Sequence, residues 1–192
     1  LTACSGVGGA ASVFVGHRLG EVAVEGLVNG LGVPLEGRVE GAAPFEARIL
    51  FPRGRQEPQL PFTIRIASPL RGLAFDLPEP LGKPANSSVF VRGDIRFMPG
   101  GERIETAGRA ANDIAWNLVF ARPEGAWDLD RGVVRAGGGT IDQAETRGLH
   151  LRGRTDTVRL DDWLNLSRGG EKTTGAADRI RSVDLLVENF YA

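Results

Sequence analysis

The sequence has little of the chemistry from which metal, redox and acid–base sites are built. Its 192 residues include one cysteine, Cys4, and two histidines, His17 and His150. One cysteine excludes an internal disulfide bond and leaves the redox compartment open. The histidines lie far apart in the chain with no cysteine or carboxylate pair beside them, so neither a closed zinc site nor a histidine-activated nucleophile is indicated. We expect no metal, no cofactor and no enzymatic activity.

Charge excess and long hydrophobic runs are also lacking. The 23 Lys and Arg residues nearly balance the 24 Asp and Glu residues, whereas nucleic-acid binding usually requires a concentrated basic face. We therefore expect no nucleic-acid partner. No apolar run approaches the roughly 20 residues that cross a bilayer, and no secretory signal sequence is present. Because the chain starts at Leu1 and stops inside a strand-like pattern, we expect it to be an internal fragment of a longer protein.

Apolar residues alternate with polar ones through much of the chain, which is typical of strands with one apolar face. In residues 62–66, for example, phenylalanine and isoleucine alternate with threonine and arginine. Turns rich in glycine and proline separate such stretches, which favours an antiparallel meander. The pattern predicts about ten strands, weaker in residues 1–59 than in residues 60–192. We treat residues 1–192 as a single β-rich segment.

Only one short helix is predicted. Asp161 suits its N-cap, Asp162 is favoured in the first turn by the helix dipole, and Trp163 can bury. One such helix cannot cover the apolar faces of about ten strands. The sheet can hide them by folding over as a sandwich, by closing as a barrel, or by curling into an open groove. The pattern alone leaves these three arrangements open.

Other motif-like patterns have simpler structural explanations. Residues 6–11 match G-x-G-x-x-A, but a strand-like stretch follows where dinucleotide binding needs a helix. Asp128 and Asp130 are explained by a solvated strand face, Asp161 and Asp162 by helix capping, and the three tryptophans by packing. A packed β-sandwich that binds a carbohydrate or a protein partner is the alternative to a groove.

Three stretches carry a resemblance to a known family. GLAFDLPEPLGKP at residues 72–84 closely resembles a segment of the YhdP-type, AsmA-like proteins of Gram-negative bacteria, in which GL-x-(L/I/F)-DLP-x-P-(L/F)-GK leads into the next strand. RGVVRAGG at residues 131–138 is similar to the family's RG-x-(apolar)-x-(apolar)-GG hairpin, and residues 149–164 resemble its L-x-L-x-G and LDLDxWL segment. The order and spacing of these three stretches agree with the family over residues 60–190, whereas residues 1–59 resemble the family only in their general strand-like composition.

The resemblance implies a curved antiparallel sheet that forms an open groove, with one short helix. It also implies a non-enzymatic segment of an inner-membrane-anchored, periplasm-spanning envelope protein. Such a protein shields acyl chains during phospholipid transport to the outer membrane and supports the outer-membrane barrier. The implied partners are phospholipid acyl chains, the inner membrane through a segment outside these residues, and neighbouring β-segments of the same chain.

An apolar groove suits this cargo, because each methylene taken out of water is worth about 0.8 kcal/mol and needs no specific hydrogen bond. Charged residues that alternate with the apolar ones, such as Arg65, Arg92 and Arg96, are predicted on the outer, solvated face. A register error of one residue would invert such an assignment. The predicted groove-lining residues are Val89, Val91, Ile95, Phe97, Ile114, Leu118, Val183 and Leu185.

Overall fold

The structure, a computed structural model, describes residues 2–4, 10–17, 38–52, 61–111, 113–168 and 179–191. Within these ranges it contains twelve β-strands, one α-helix and a 3₁₀ turn at Pro123–Gly125. The elements are β1 (Thr2–Cys4), β2 (Ala10–His17), β3 (Val39–Gly41), β4 (Phe45–Pro52), β5 (Phe62–Ser68), β6 (Leu73–Phe75), β7 (Val91–Phe97), β8 (Arg103–Ala110), β9 (Ala115–Ala121), β10 (Asp128–Ala136), β11 (Gly148–Arg159), α1 (Leu160–Arg168) and β12 (Ile180–Tyr191).

Ten of the strands form one open sheet in the order β1-β2-β4-β5-β7-β8-β9-β10-β11-β12. Neighbouring strands from β1 to β10 are antiparallel. The two edge strands do not pair with each other, so the sheet does not close into a barrel. The predicted fold class, a large and mainly antiparallel open sheet with one short helix, is confirmed for the part of the chain that the structure describes. The other sheet in the described ranges pairs only β3 with β6, which is too small to form the second layer of a sandwich.

The last three strands of the sheet depart from a simple meander. β10 pairs with β11, and β11 with β12, in parallel orientation. Parallel neighbours require the chain to return to the starting end of the sheet between strands. Residues 137–147 make the first return, and α1 begins the second. The purely antiparallel meander predicted from the turns is therefore wrong for this part of the chain.

The returning segment, residues 137–147, lies against β10 and β11. Thr146 Oγ1 lies 3.0 Å from His150 Nε2, and Ala144 is buried. His150 stands directly opposite Val133 in the register of β10 and β11. Val133 is only 2% exposed, because the returning segment covers this face of the two strands. The glycines that begin the segment are therefore followed by a packed crossing rather than a loose link.

Leu73, Phe75 and Leu77 alternate with small or polar residues and predict one strand over residues 72–77, but the structure forms a small separate sheet there. Only three of these residues form β6, which pairs with β3 and not with the large sheet. The proline-rich loop that follows turns at residues 78–81 and returns to β6 through a bridge between Phe75 and Lys83. The amino group of Lys83 donates a hydrogen bond to the carbonyl oxygen of Leu73 at 2.6 Å. The loop is thus folded back onto β6 instead of being extended.

Element boundaries differ from the prediction in one further place. The helix α1 begins at Leu160, so Asp161 lies in its first turn together with Asp162. Asp161 is therefore not the N-cap, although both carboxylates still lie where the helix dipole favours negative charge. Residues 45–51, for which a strand and a helical turn were both open, belong to strand β4.

Some predictions fall partly or wholly outside the described residues. Of the hairpin predicted over residues 12–25, the structure describes residues 12–17 in β2, which pairs with β1 and β4. Residues 6–9 of the G-x-G-x-x-A match, the polar stretch at residues 53–58 and most of the Gly-rich stretch at residues 167–177 lie outside the described ranges, while Ala10 and Ala11 begin β2.

Candidate functional site

The register of the large sheet places its apolar residues in rows that run across the strands. Residues directly opposite each other in neighbouring strands share a face. We call the face built from the following rows the apolar face. One row contains Phe62, Phe97, Ile104, Phe120 and Leu129; the next contains Ile49, Ile64, Ile95, Thr106, Leu118, Gly132, Leu149 and Ile180; the third contains Ala47, Ile66, Gly93, Gly108, Trp116, Val134, Leu151 and Val183.

The opposite side of the same strands is charged, and we call it the polar face. The strict alternation of a strand assigns each residue between two apolar-face residues to this side. Its rows contain Thr63, Arg96, Glu105, Val119 and Arg131; Arg48, Arg65, Asp94, Ala107, Asn117, Val133, His150 and Ser182; and Ala67, Arg92, Arg109, Ala115, Arg135, Arg152 and Asp184.

Six of the eight predicted groove-lining residues lie on the apolar face. Ile95, Phe97, Leu118 and Val183 stand in the rows given above, and Val91 and Leu185 lie on the same face by alternation within β7 and β12. Whether this face binds lipid stays a prediction.

The other two predicted lining residues lie in loops. The amide of Val89 donates to the carbonyl oxygen of Pro69 at 3.0 Å, and the carbonyl oxygen of Ile114 accepts from the amide of Ala110 at 2.7 Å. Ile114 is also buried. The prediction extends the strand alternation back to Val89 and Ile114, whereas β7 begins at Val91 and β9 begins at Ala115. Because neither residue belongs to a strand, the pairing register does not assign either side chain to a row.

Several apolar-face residues were absent from the predicted lining although they carried the same signal. Phe62, Ile64 and Ile66 alternate as cleanly as the residues of β7, and the register places all three on the apolar face. Leu151 is a further member, opposite Val134 and Val183. The sequence pattern could have identified them, because strand alternation was already recognised in both segments.

Burial varies along the apolar face. On the central strands β8 and β9, Ile104 is 4% exposed and Phe120 is 2% exposed. Toward the flanks of the sheet, Phe51 on β4 is 47% exposed and Val183 on β12 is 59% exposed. The apolar face is therefore accessible on both flanks of the sheet.

Aromatic side chains give one margin of the apolar face a continuous surface. The rings of Phe51 and Phe62 stack with centroids 5.6 Å apart, and those of Phe62 and Phe97 stack at 4.8 Å. These distances lie in the range of favourable offset stacking. The three rings link β4, β5 and β7 into an aromatic row.

Trp116 covers two glycines in the middle of the apolar face. Its ring lies over two glycines of neighbouring strands, since a Cβ added at Gly93 would meet Cζ2 of Trp116 at 3.1 Å and one added at Gly108 would collide with the same ring. The indole Nε1 donates to Thr106 Oγ1 at 3.1 Å. Because its polar group is satisfied within the sheet, Trp116 presents only apolar surface outward.

The polar face is organised by arginine–carboxylate pairs. Arg65 donates two hydrogen bonds to the carboxylate of Asp94, at 2.8 and 3.1 Å. These bonds, with the attraction between the two charges, raise the pKa of Arg65 above its usual value. Arg65, Arg92 and Arg96 all lie on this side, as the alternation predicted, so none of them stands among the apolar rows.

Asp128 and Asp130, whose spacing would put two carboxylates on one strand face, pair with different arginines. A register irregularity between Leu129 and Arg131 interrupts the strand where Asp130 lies. Asp130 contacts the guanidinium groups of Arg131 and Arg147, each at 3.1 Å, while Asp128 pairs with Arg179. Neutralised by separate arginines, the carboxylates act as structural ion pairs. Among the described residues no group of three potential metal ligands is present.

Comparison with known proteins identifies a family. A family model described as YhdP protein matches residues 17–190. The match includes the three stretches quoted above and extends into residues 17–59, where the resemblance was weaker. No curated protein and no solved structure matches the chain. Within the described residues, no helix is long and apolar enough to span a membrane.

Proposed function

The chain belongs to the YhdP family, and on that premise we propose that its sheet is a non-enzymatic conduit that holds phospholipid acyl chains against the apolar face. The family is one of bacterial envelope proteins associated with lipid transport. The observation that carries the proposal is the set of apolar rows, which cross the strands without a charged residue while charges occupy the opposite face.

The dimensions of the rows fit an acyl chain. From β4 to β12 the sheet contains eight neighbouring strands, which at about 4.8 Å per interval span roughly 34 Å. A bilayer core of about 30 Å holds two leaflets, so one acyl chain requires roughly 15 Å. A chain lying along the row from Ile49 to Ile180, whose side chains stay partly exposed, therefore has room to be covered fully, and each methylene removed from water contributes about 0.8 kcal/mol.

In this proposal the segment is one part of a longer path. A ten-stranded sheet at about 4.8 Å spacing is only roughly 45 Å wide, which is short for a route between two membranes. Neighbouring β-segments of the full-length protein continue the apolar face, an inner-membrane anchor lies elsewhere in that protein, and phospholipids move through the periplasm toward the outer membrane. By keeping acyl chains out of water, the protein supports the barrier of the outer membrane.

Photocrosslinking in cells tests the conduit. A photoreactive amino acid is placed in the full-length protein at Ile95, Leu118 or Leu185 on the apolar face, and lipid adducts are detected by mass spectrometry. Each site has a matched control, because the adjacent residue in the same strand points to the polar face. The controls are Arg96, Asn117 and Asp184.

We expect phospholipid adducts at the three apolar-face sites and background levels at the three controls. Equal adducts on both faces would mean that the sheet only contacts a membrane surface. Absence of adducts at all three apolar-face sites, at normal protein level and with normal folding, would refute the conduit and favour a packed binding module.

A further inference from the structure

The polar face contains a depression that the conduit does not use. It lies across β4, β5, β7 and β8 and has a volume of about 860 Å³, within the usual range of ligand pockets. Small side chains and glycine backbone form much of its lining, so a ligand can approach the sheet closely. We call this depression the arginine basin. It is lined by Glu46, Arg48, Arg65, Ile66, Ala67, Phe90, Arg92, Gly93, Asp94, Ala107, Gly108, Arg109, Ala110 and Ala111.

Positive charge is in excess around the basin, with four arginines and two carboxylates, in a chain whose net charge is −1. The arginines are also arranged as like-charged neighbours. Arg48 stands directly opposite Arg65, and Arg92 stands directly opposite Arg109. Like charges directly opposite each other destabilise an antiparallel pair, so an anion between Arg92 and Arg109 would remove a cost that the free protein carries at that pair.

Neither Glu46 nor Asp94, the two carboxylates of the basin, forms an ion pair with Arg92 or Arg109 among the residues that the structure describes. Asp94 is engaged by two hydrogen bonds from Arg65. The guanidinium of Arg92 lies 5.8 Å from the centre of the Phe90 ring, and Arg109 has no ion pair or hydrogen bond with the residues that the structure describes. Both side chains are exposed and can turn toward a ligand.

A second depression on the sheet shows a different arrangement. Its volume is about 560 Å³, and it is also lined by arginines. There Arg147 contacts Asp130 at 3.1 Å and Arg179 pairs with Asp128. Those arginines serve the fold, whereas Arg92 and Arg109 have no comparable carboxylate.

We propose that the arginine basin binds the phosphate group of a phosphate ester, held between Arg92 and Arg109. The planar guanidinium donates paired hydrogen bonds in a geometry that suits phosphate oxygens. Phe90, 45% exposed at the basin, offers an apolar contact for the organic part of the ester. A lipid lying along the apolar face is separated from the basin by the sheet itself, so this phosphate belongs to another molecule, either free in solution or in the headgroup of a membrane lipid.

The test compares wild-type full-length protein with Arg92→Gln and Arg109→Gln. One arm titrates glycerol 3-phosphate by calorimetry in buffer free of phosphate. The other arm measures binding to phosphatidylglycerol vesicles relative to phosphatidylcholine vesicles. The matched control is Arg96→Gln, which removes an exposed arginine from the same strand and the same face but outside the basin.

We expect each basin variant to weaken binding about tenfold to hundredfold, as for the loss of one hydrogen-bonded charge, and the Arg96→Gln control to bind as the wild type does. A selective loss in the glycerol 3-phosphate arm identifies a free phosphate ester, and a selective loss in the vesicle arm identifies a lipid headgroup. No binding in either arm, or an equal loss in the control, would overturn the proposal. Thermal unfolding in phosphate-free buffer verifies that the variants fold.

Discussion

The contact between Trp116 and the glycines beneath it makes a quantitative prediction for Gly108→Ala. A Cβ at residue 108 would collide with the Trp116 ring and would lie 2.6 Å from the backbone carbonyl oxygen of Arg92. The ring can move, but the carbonyl belongs to the neighbouring strand and cannot move without disturbing the pairing of β7 with β8. The substitution therefore strains the sheet as well as displacing the indole.

The magnitude follows from three contributions. Overpacking a well-fitted site costs about 1–3 kcal/mol, and loss of the hydrogen bond from Trp116 to Thr106 costs about 1 kcal/mol. Replacing glycine lowers the entropy of the unfolded chain, which stabilises the folded state by about 0.4–1 kcal/mol. We expect Gly108→Ala to lower the free energy of unfolding by about 2–3 kcal/mol, a substantial part of the roughly 5–15 kcal/mol of a typical domain.

Denaturant unfolding followed by tryptophan fluorescence measures both consequences, the lower stability and the altered environment of Trp116. Gly93→Ala is the graded comparison, because its Cβ would lie 3.0 Å from the carbonyl oxygen of Ala107 and 3.1 Å from Trp116, contacts that small shifts relieve. We expect Gly93→Ala to lower the free energy of unfolding by less than half as much as Gly108→Ala does. If Gly108→Ala unfolds at the wild-type midpoint with unchanged emission, the indole does not lie over that glycine and the argument is refuted.

Three further predictions concern other parts of the sheet. Burial lowers the pKa of Lys83 below its usual value of 10.5, so the folded protein loses this proton at lower pH than the unfolded chain does. The free energy of unfolding should therefore rise as pH increases toward 10.5. Lys83→Met should abolish this rise in unfolding curves measured at alkaline pH. Asp94→Asn should change the free energy of unfolding by less than about 1 kcal/mol, since the pair with Arg65 is partly exposed, yet tighten glycerol 3-phosphate binding by making the basin more positive. Phe62→Ala, which removes the middle ring of a stacked row, should cost about 3 kcal/mol in urea unfolding; a cost below about 1 kcal/mol would mean that the row is not packed.

Local alternation predicted the strands and their faces well where it was continuous. In β5 and β7 every second residue is apolar, and the pairing of Ile64 with Ile95 puts both on the face that the pattern assigns. Side chains of a strand alternate because of its backbone geometry alone, so this information is present in any short stretch. The same logic failed at Val89 and Ile114, since the residues at which pairing stops depend on the neighbouring strands.

Features that depend on pairing between distant segments could not be predicted from local alternation. The parallel pairing of β11 with β10 and β12 depends on where the returning segments run, and β6 joins a separate sheet because Lys83 and the proline-rich loop fold back onto it. The arginine basin brings together Arg48, Arg65, Arg92 and Arg109 from four strands. No local pattern relates these residues, because their proximity exists only once the register is set.

The amino-acid sequence by itself determined that this chain forms strands with one apolar and one charged side, that a short helix begins near Asp161, and, through its motifs, to which family it belongs. These properties follow from the two-residue period of a strand and from local turn and capping chemistry. The tertiary structure alone decided that the sheet stays open, that its last strands run parallel, that Trp116 covers the two glycines, and that Arg92 stands opposite Arg109. Those outcomes depend on pairing between distant segments, which register and chain crossings establish only when the whole sheet assembles.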